Sequence, residues 1–99
     1  MVTSTYASAS FARLGDATAA IDWFRNQGIA PASIAVAAAA DGEGPRPPRR
    51  GDNLRDDLTW YVALDLAQTQ LPPAVVRATL RREGGKPSVW TPPDAQTRD

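Results

Sequence analysis

Apolar and polar positions alternate along four short segments of the chain, and a period of two is typical of β-strands. The clearest alternation covers residues 58–67. One face of this segment consists of Leu58, Trp60, Val62, Leu64 and Leu66. Weaker alternation over residues 3–12, over the alanine-rich residues 33–41 and over residues 87–91 predicts three more strands.

Two other segments repeat apolar residues at helical spacing. The first covers residues 17–27, with Asp16 as the expected N-cap and Gly28 as the residue that ends the helix. The second opens at Pro72, where proline is tolerated in the first turn, and stops at Gly84. Its apolar stripe consists of Val76, Thr79 and Leu80.

The order of these elements is β-α-β, a long loop, and then β-α-β, which predicts one α+β domain over residues 1–92. Two right-handed βαβ units of this length combine most simply as a ferredoxin-like βαββαβ sandwich. That fold has a four-stranded antiparallel sheet with both helices on one face, and its first and third strands are central. Residues 93–99 are expected to form a flexible polar tail.

The loop between the two halves, residues 41–57, contains the conspicuous run PRPPRRGDN. Its PxxP spacing fits polyproline recognition, but that spacing is common by chance. An Arg-Gly-Asp adhesion signal does not suit a chain without an export segment. We therefore expect a connection that is mobile or lies across a neighbouring subunit, and whose residues 43–51 can be deleted without loss of the fold.

Composition excludes several classes of function. The 99-residue chain has 11 basic and 11 acidic side chains, so it lacks the basic field that attracts nucleic acid or anionic lipid. It has neither Cys nor His, which removes disulfides, thiolate sites and the usual metal ligand and general base. We expect no metal and no cofactor. No apolar run approaches the roughly 20 residues of a membrane span, and no signal-peptide pattern opens the chain, so a cytoplasmic location is expected.

The segment from about residue 6 to residue 40 follows a recognisable order of features. It begins with a strand and an acidic-capped helix that contains paired alanines. A Phe-Arg turn that ends in glycine and an apolar residue follows, and then a proline turn leads into a second strand. These features correspond to Asp16, Ala19-Ala20-Ile21, Phe24-Arg25, Gly28-Ile29 and Ile34-Ala35-Val36. The pattern resembles the small bacterial general-stress-protein domain, also called heat-induced stress protein. The resemblance implies a ferredoxin-like domain of poorly defined biochemical role without catalytic residues. Many members carry a glycine-rich apolar stretch where this chain has its Pro/Arg loop.

One face of the predicted sheet has no helices over it, and its side chains are small and uncharged apart from Asp65. Solvated antiparallel faces normally carry charged residues, and an uncharged patch usually marks an interface. The candidate ligand or interface residues are Tyr6, Ser8, Ala35, Ala37, Tyr61, Asp65 and Trp90. We expect a homodimer packed sheet to sheet. The alternatives are that the loop or the tail folds over this face, or that the face forms a ligand cleft.

These patterns favour a small non-enzymatic interaction or regulatory module of the general-stress type. The alternative is a cofactor-free enzyme or small-ligand-binding protein of the dimeric α+β barrel type, with a pocket where Asp65 beside Tyr61 serves as a base. RNA binding, with Tyr6 and Tyr61 as stacking platforms, is disfavoured by the acidic residues in and before the third strand.

Each predicted helix has one feature that allows two interpretations. Trp23 lies away from the apolar stripe of the first helix, where it either contacts a partner or leans against the second helix or a loop. A basic outer side on and just after the second helix consists of Arg77, Arg81, Arg82 and Lys86. Solvation and the helix dipole explain this side, and phosphate or nucleic-acid binding is the sharper alternative.

Overall fold

Four strands and two helices follow one another along residues 6–92, the part of the chain that the computed structural model describes. They are β1 (Tyr6–Phe11), α1 (Leu14–Asn26), β2 (Ile34–Ala40), β3 (Leu58–Asp65), α2 (Pro73–Arg82) and β4 (Lys86–Ser88). The start of the first predicted strand at residues 3–5 and the predicted tail at residues 93–99 lie outside the described residues.

The strands form one antiparallel sheet with the order β2-β3-β1-β4. The two central positions belong to β1 and β3, as the sequence predicts. The fold is therefore α+β, with a four-stranded antiparallel sheet and two helices. Strand β3 carries the strongest alternation because one of its faces belongs to the core along its length, with Leu58, Trp60, Val62 and Leu64 all buried there.

Both helices pack on the same side of the sheet, which we call the helix side. Helix α1 contacts β1 and β3, and α2 contacts β1 and β4. Phe11, Val62 and Leu64 have no exposed surface on this side. The predicted stripe of α2 is confirmed, because its buried residues are Val76, Thr79 and Leu80.

The start of α1 differs from the prediction. The helix begins at Leu14 and not at Ala17, and its N-cap is Arg13, whose backbone is extended and whose side chain makes no capping hydrogen bond. Asp16 lies in the first turn, where its charge still interacts favourably with the helix dipole. The prediction that Asp16 is the N-cap is wrong because the helix starts without a side-chain cap.

Both helices end at a glycine, as predicted, and both glycines have a left-handed backbone. Gly28 has φ of 90° and donates its N–H to the carbonyl of Arg25, while the N–H of the buried Ile29 reaches the carbonyl of Phe24. Gly84 has φ of 101° and closes α2 in the same way. This paired hydrogen bonding is a Schellman motif, and glycine adopts the required conformation without steric cost.

Trp23 leans against the end of α2, which confirms the packing interpretation. The guanidinium of Arg82 lies 5.4 Å from the centre of the Trp23 ring. The same ring meets Phe24 edge to face, with 5.3 Å between ring centres. Trp23 therefore joins the two helices to one another at the edge of the core.

Candidate functional site

The strand register confirms which side chains lie opposite the helices. Across the sheet, Ser8 and Ala35 both pair with Ala63, and Ser10 and Ala37 both pair with Tyr61. Paired residues share a side of the sheet, so these residues lie together away from the core. We call this surface the open face; it consists of Tyr6, Ser8, Ser10, Ala35, Ala37, Ala39, Thr59, Tyr61, Ala63 and Asp65.

Trp90 lies over the open face, although it is not part of a strand. The last strand ends at Ser88, earlier than predicted, and the backbone N–H of Trp90 donates to the Ser88 Oγ at 3.1 Å. The ring of Trp90 lies 6.0 Å from the ring of Tyr61 at an angle of 50°. The structure thus brings these two predicted site residues together by a turn after the strand.

The open face is less bare than the sequence suggests. Ala37 is 2% exposed and Ala63 has no exposed surface, although no helix lies above them. A cavity of about 80 Å³ lies beside Ala37. Its lining consists of Ala35, Val36, Ala37, Pro45, Arg46, Pro47, Trp90 and Pro92. Part of the chain after β4 and part of the Pro/Arg loop therefore border this face.

The Pro/Arg loop, residues 41–57, folds back onto the outer edge of β2. The backbone groups of Arg46 and Ala38 exchange two hydrogen bonds, at 2.8 and 2.9 Å. This pair places a short piece of the loop beside β2 as an additional edge. The loop was expected to be mobile or to lie across a neighbouring subunit; instead, at Arg46 it pairs with its own chain and occupies part of an edge that would otherwise present unpaired backbone groups.

Asp52 holds the loop in this conformation. Its carboxylate accepts two hydrogen bonds from the Arg46 guanidinium, at 2.8 and 3.1 Å, and one from the backbone N–H of Arg49 at 2.7 Å. The bonds from Arg46, and then the one from Arg49, lower the pKa of Asp52 to about 2. The Asp of the Arg-Gly-Asp triplet is 4% exposed. It is a structural anchor and is not presented to a receptor.

The sequence did not identify Arg46 and Asp52 as a pair. They are six positions apart within a polar stretch that has no periodicity, so nothing in the spacing indicates that the side chains meet. The sequence feature that could have drawn attention to Asp52 is the glycine immediately before it. Gly51 has φ of 92° and turns the chain immediately before the short 3₁₀ helix Asp52–Leu54.

Asp65, the candidate base, serves a turn at the end of β3. Its Oδ1 accepts the backbone N–H of Ala67 at 3.0 Å, and its carbonyl accepts the N–H of Gln68. These bonds end the strand at Asp65, two residues before the predicted end. Asp65 is partly exposed, and it lines neither the cavity beside Ala37 nor the larger cavity described below.

The larger cavity has a volume of about 180 Å³ and lies beside α2 where β4 ends. Two of the predicted site residues, Tyr6 and Ser8, line it. So do Arg77 and Arg81 of α2, which the sequence marked only as part of a basic outer side. The seven predicted site residues therefore do not form one site. Tyr6 and Ser8 lie at this cavity, whereas Ala35, Ala37 and Trp90 lie at the smaller one. Tyr61 contacts Trp90, and Asp65 lines neither cavity.

Two further kinds of feature are absent from residues 6–92. No group of three or more acidic side chains in that range could hold a metal ion. Neither α1 nor α2 is long and apolar enough to cross a membrane. Comparison with known proteins adds no assignment: no family model, curated protein or solved structure matches the chain.

Proposed function

We propose that the chain is a non-enzymatic interaction module that pairs with a second copy of itself through the open face. The observation that carries this proposal is the absence of charge across the middle of that face, where Ser8, Ser10, Ala35 and Tyr61 are partly exposed around the buried alanines. Solvated antiparallel sheets normally carry charged residues on the face away from the core.

A second copy suits this surface better than an unrelated partner. In a twofold contact each residue near the axis meets its own counterpart, so charged residues there would repel one another. Two charged residues of the strands on this side, Asp65 and Lys86, pair with Tyr6 and Ser10 toward opposite ends of β1. They leave the centre neutral and have opposite signs.

Trp90 supplies the contact surface that alanines lack. Its partly exposed ring lies on Tyr61 at the centre of the face. Trp and Tyr are enriched among the residues that dominate binding energy, because they bury a large rigid surface at small entropic cost. A second copy would cover this aromatic pair, which solvent reaches in the single chain.

We further propose that the fold is ferredoxin-like and that the role is related to stress. The central positions of β1 and β3 and the packing of both helices on one side support the fold. The stress-related role rests on the sequence resemblance over residues 6–40 alone. A cytoplasmic location likewise stays a prediction. The alternative of an enzyme with Asp65 as base gains no support from the geometry, because Asp65 lines neither cavity.

Sedimentation velocity on the unmodified chain and on Ala35→Arg tests the proposal. Ala35 is partly exposed on the open face, whereas Ala37 is too buried for an arginine to be placed there without disturbing the fold. We expect a dimer for the unmodified chain at about 50 µM. Ala35→Arg should be monomeric, because the contact would have to bury a guanidinium group without a partner.

Ala78→Arg is the matched control. Ala78 is an exposed residue of α2, on the opposite side of the molecule from the open face, so this variant should sediment as the unmodified chain does. Two results would refute the proposal: a monomer for the unmodified chain at that concentration, or an Ala35→Arg variant that dimerises as well as Ala78→Arg.

A further inference from the structure

The cavity of about 180 Å³ exists because β4 is too short to cover β1. Strand β4 pairs with β1 only from Ser10 to Ser8 and ends there, while β1 extends to Tyr6. Helix α2 closes the space from above. The cavity is lined by Tyr6, Ala7, Ser8, Ala9, Arg77, Leu80, Arg81, Gly85, Pro87 and Ser88.

The lining combines an apolar inner wall with two positive charges. The buried Ala7, Ala9 and Leu80 provide the apolar part. Arg77 and Arg81 are four positions apart on α2, so their side chains extend from the same side of the helix. The lining contains no Asp or Glu.

These two arginines differ from their neighbour Arg82. Arg82 packs on Trp23 and forms a salt bridge with Glu83. Among residues 6–92, Arg77 and Arg81 form no salt bridge and donate no side-chain hydrogen bond. Their guanidinium groups are therefore available to a ligand, and a guanidinium binds carboxylate and phosphate oxygens in a bidentate way.

One buried hydroxyl lies at the rim of this cavity, on the open-face side of β1. The Oγ of Ser8 is buried and has no hydrogen-bond partner. Buried polar atoms in native proteins nearly always have one. Ser8 lines the cavity at the point where the ladder to β4 stops, next to its pairing partner Ser88. Because Ser8 alternates with Ala7 and Ala9 along β1, its hydroxyl lies on the open-face side of the strand and does not contact a ligand placed on Ala7, Ala9 and Leu80.

We propose that this cavity binds a small organic anion with a carboxylate or a phosphate monoester group. The anionic group lies between Arg77 and Arg81, and the apolar part of the ligand lies on Ala7, Ala9 and Leu80. Drug-sized ligands occupy sites of roughly 300–1,000 Å³. The smaller volume here selects a ligand about the size of a substituted benzene ring. Tyr6 and Ser8 of the open face border this site, but its arginines and apolar wall lie on the helix side, so the proposal does not depend on the dimer contact.

Amide chemical shifts of the ¹⁵N-labelled chain, recorded during titration with benzoate, phenyl phosphate and the neutral benzamide, test the proposal. We expect saturable shifts with benzoate or phenyl phosphate, confined to residues 6–9, 77–81 and 85–88. Whichever of benzoate and phenyl phosphate binds with the higher affinity shows whether the site prefers a carboxylate or a phosphate monoester. Benzamide should cause no saturable shift, because it has the ring without the charge. Equal shifts with benzamide, or shifts spread over all the arginines of the surface, would overturn the proposal.

Inorganic phosphate serves as a probe for the apolar wall. It carries the charge but cannot contact Ala7, Ala9 and Leu80, so its affinity should be at least about tenfold weaker than that of the better organic anion. If inorganic phosphate binds as tightly as phenyl phosphate, the apolar wall does not take part and the proposed ligand class is wrong.

Variants of α2 separate the site from general positive charge. The double variant Arg77→Gln and Arg81→Gln should weaken binding of the organic anion at least tenfold, because it removes both charge-assisted contacts. Arg82→Gln removes the same charge from the next position on the helix and should leave the affinity unchanged. The amide spectrum of each variant reports whether it is folded. A folded double variant that binds as well as Arg82→Gln contradicts the proposal.

Discussion

The two sides of the sheet are buried to different extents and by different means: in β1 and β3 the residues that face the helices are buried, whereas most residues of the open face stay partly exposed. On the helix side, Phe11, Val62 and Leu64 have no exposed surface because α1 and α2 pack directly on them. On the open face, Ala37 and Ala63 are almost equally buried, although no helix lies above them. Trp90 and the prolines of the Pro/Arg loop border this face.

This difference separates stability from association. Large side chains between a sheet and two helices bury much apolar surface, which makes them the main source of folding free energy. The small side chains of the open face, bordered by Trp90 and the loop prolines, bury little apolar surface. They leave a neutral surface that a second copy can cover. We therefore expect changes on the helix side to alter unfolding, and changes on the open face to alter oligomeric state.

The largest expected effect is on the helix side. Phe11→Ala should lower the free energy of unfolding by about 3–5 kcal/mol, because Phe11 is fully buried and its removal leaves a cavity between β1 and the helices. Urea denaturation followed by circular dichroism measures this loss. A loss below about 1 kcal/mol would show that the core can collapse around the missing ring.

The next effect concerns the close contact between α2 and β1. A Cβ at Gly85 would lie 2.8 Å from both the Leu80 carbonyl oxygen and the Phe11 ring, so Gly85→Ala should cost about 1–3 kcal/mol. Gly15→Ala is the matched control. Gly15 lies in α1, and outside its own turn of the helix no atom comes within 4 Å of an added Cβ, so alanine there should be neutral or stabilise the helix by up to about 1 kcal/mol. Equal effects of the two variants on the urea midpoint would contradict the packing described here.

A smaller effect is expected on the open face. Trp90→Ala removes the ring that contacts Tyr61 and should cost the folded single chain about 0.5–1.5 kcal/mol, the range for an aromatic pair. Measurements at low concentration, where the chain is monomeric, isolate this contribution. At higher concentration the same variant should also dissociate the dimer. A loss as large as that of Phe11→Ala would mean that the two sides of the sheet contribute alike.

The smallest expected effect is on the pH dependence of unfolding, through the Asp52 carboxylate that anchors the Pro/Arg loop. The pKa of Asp52 is about 2 in the folded chain, below the value of about 3.9 for an unperturbed aspartate. A lowered folded pKa favours the folded state in full above about pH 4, and this stabilisation is lost as the pH falls toward 2. The difference in urea midpoint between the unmodified chain and Asp52→Asn should therefore shrink over that range.

Asp57→Asn provides the control for this titration. Its hydrogen bonds with Arg55 also lower the pKa of Asp57, but the side chain of Asp57 is 59% exposed, compared with 5% for Asp52. Solvent screens such an exposed pair, so this variant should change the pH dependence less than Asp52→Asn does. A pH-independent difference for Asp52→Asn would remove Asp52 as the anchor of the loop.

The sequence predicts the regular elements well where one pattern dominates. The alternation from Leu58 to Asp65 and the stripe of α2 needed no tertiary information, because burial on one side alone generates them. The start of α1 was missed because the chain forms the first turn without a side-chain cap, so the sequence gives no signal at Arg13. The glycine ends were predicted because a left-handed residue is needed there.

The candidate sites were harder to predict, since they depend on contacts between distant segments. Trp90 was expected on the open face as part of the last strand. It contacts Tyr61 after a turn that follows Ser88, and the sequence pattern does not predict this turn. The bond between Arg46 and Asp52 joins two residues of a polar loop. Arg77 and Arg81 line a cavity only because β4 ends early, which no pattern in the sequence indicates.

Pairing of two copies through the open face is the central claim, and isotope-filtered NOE spectra test it most directly. The sample mixes ¹³C-labelled and unlabelled chains, so that only contacts between copies give signals. We predict contacts from the ring protons of Trp90 and Tyr61 in one copy to the methyl group of Ala35 in the other. The absence of any signal between copies, or signals confined to residues of α1 and α2, would contradict the claim.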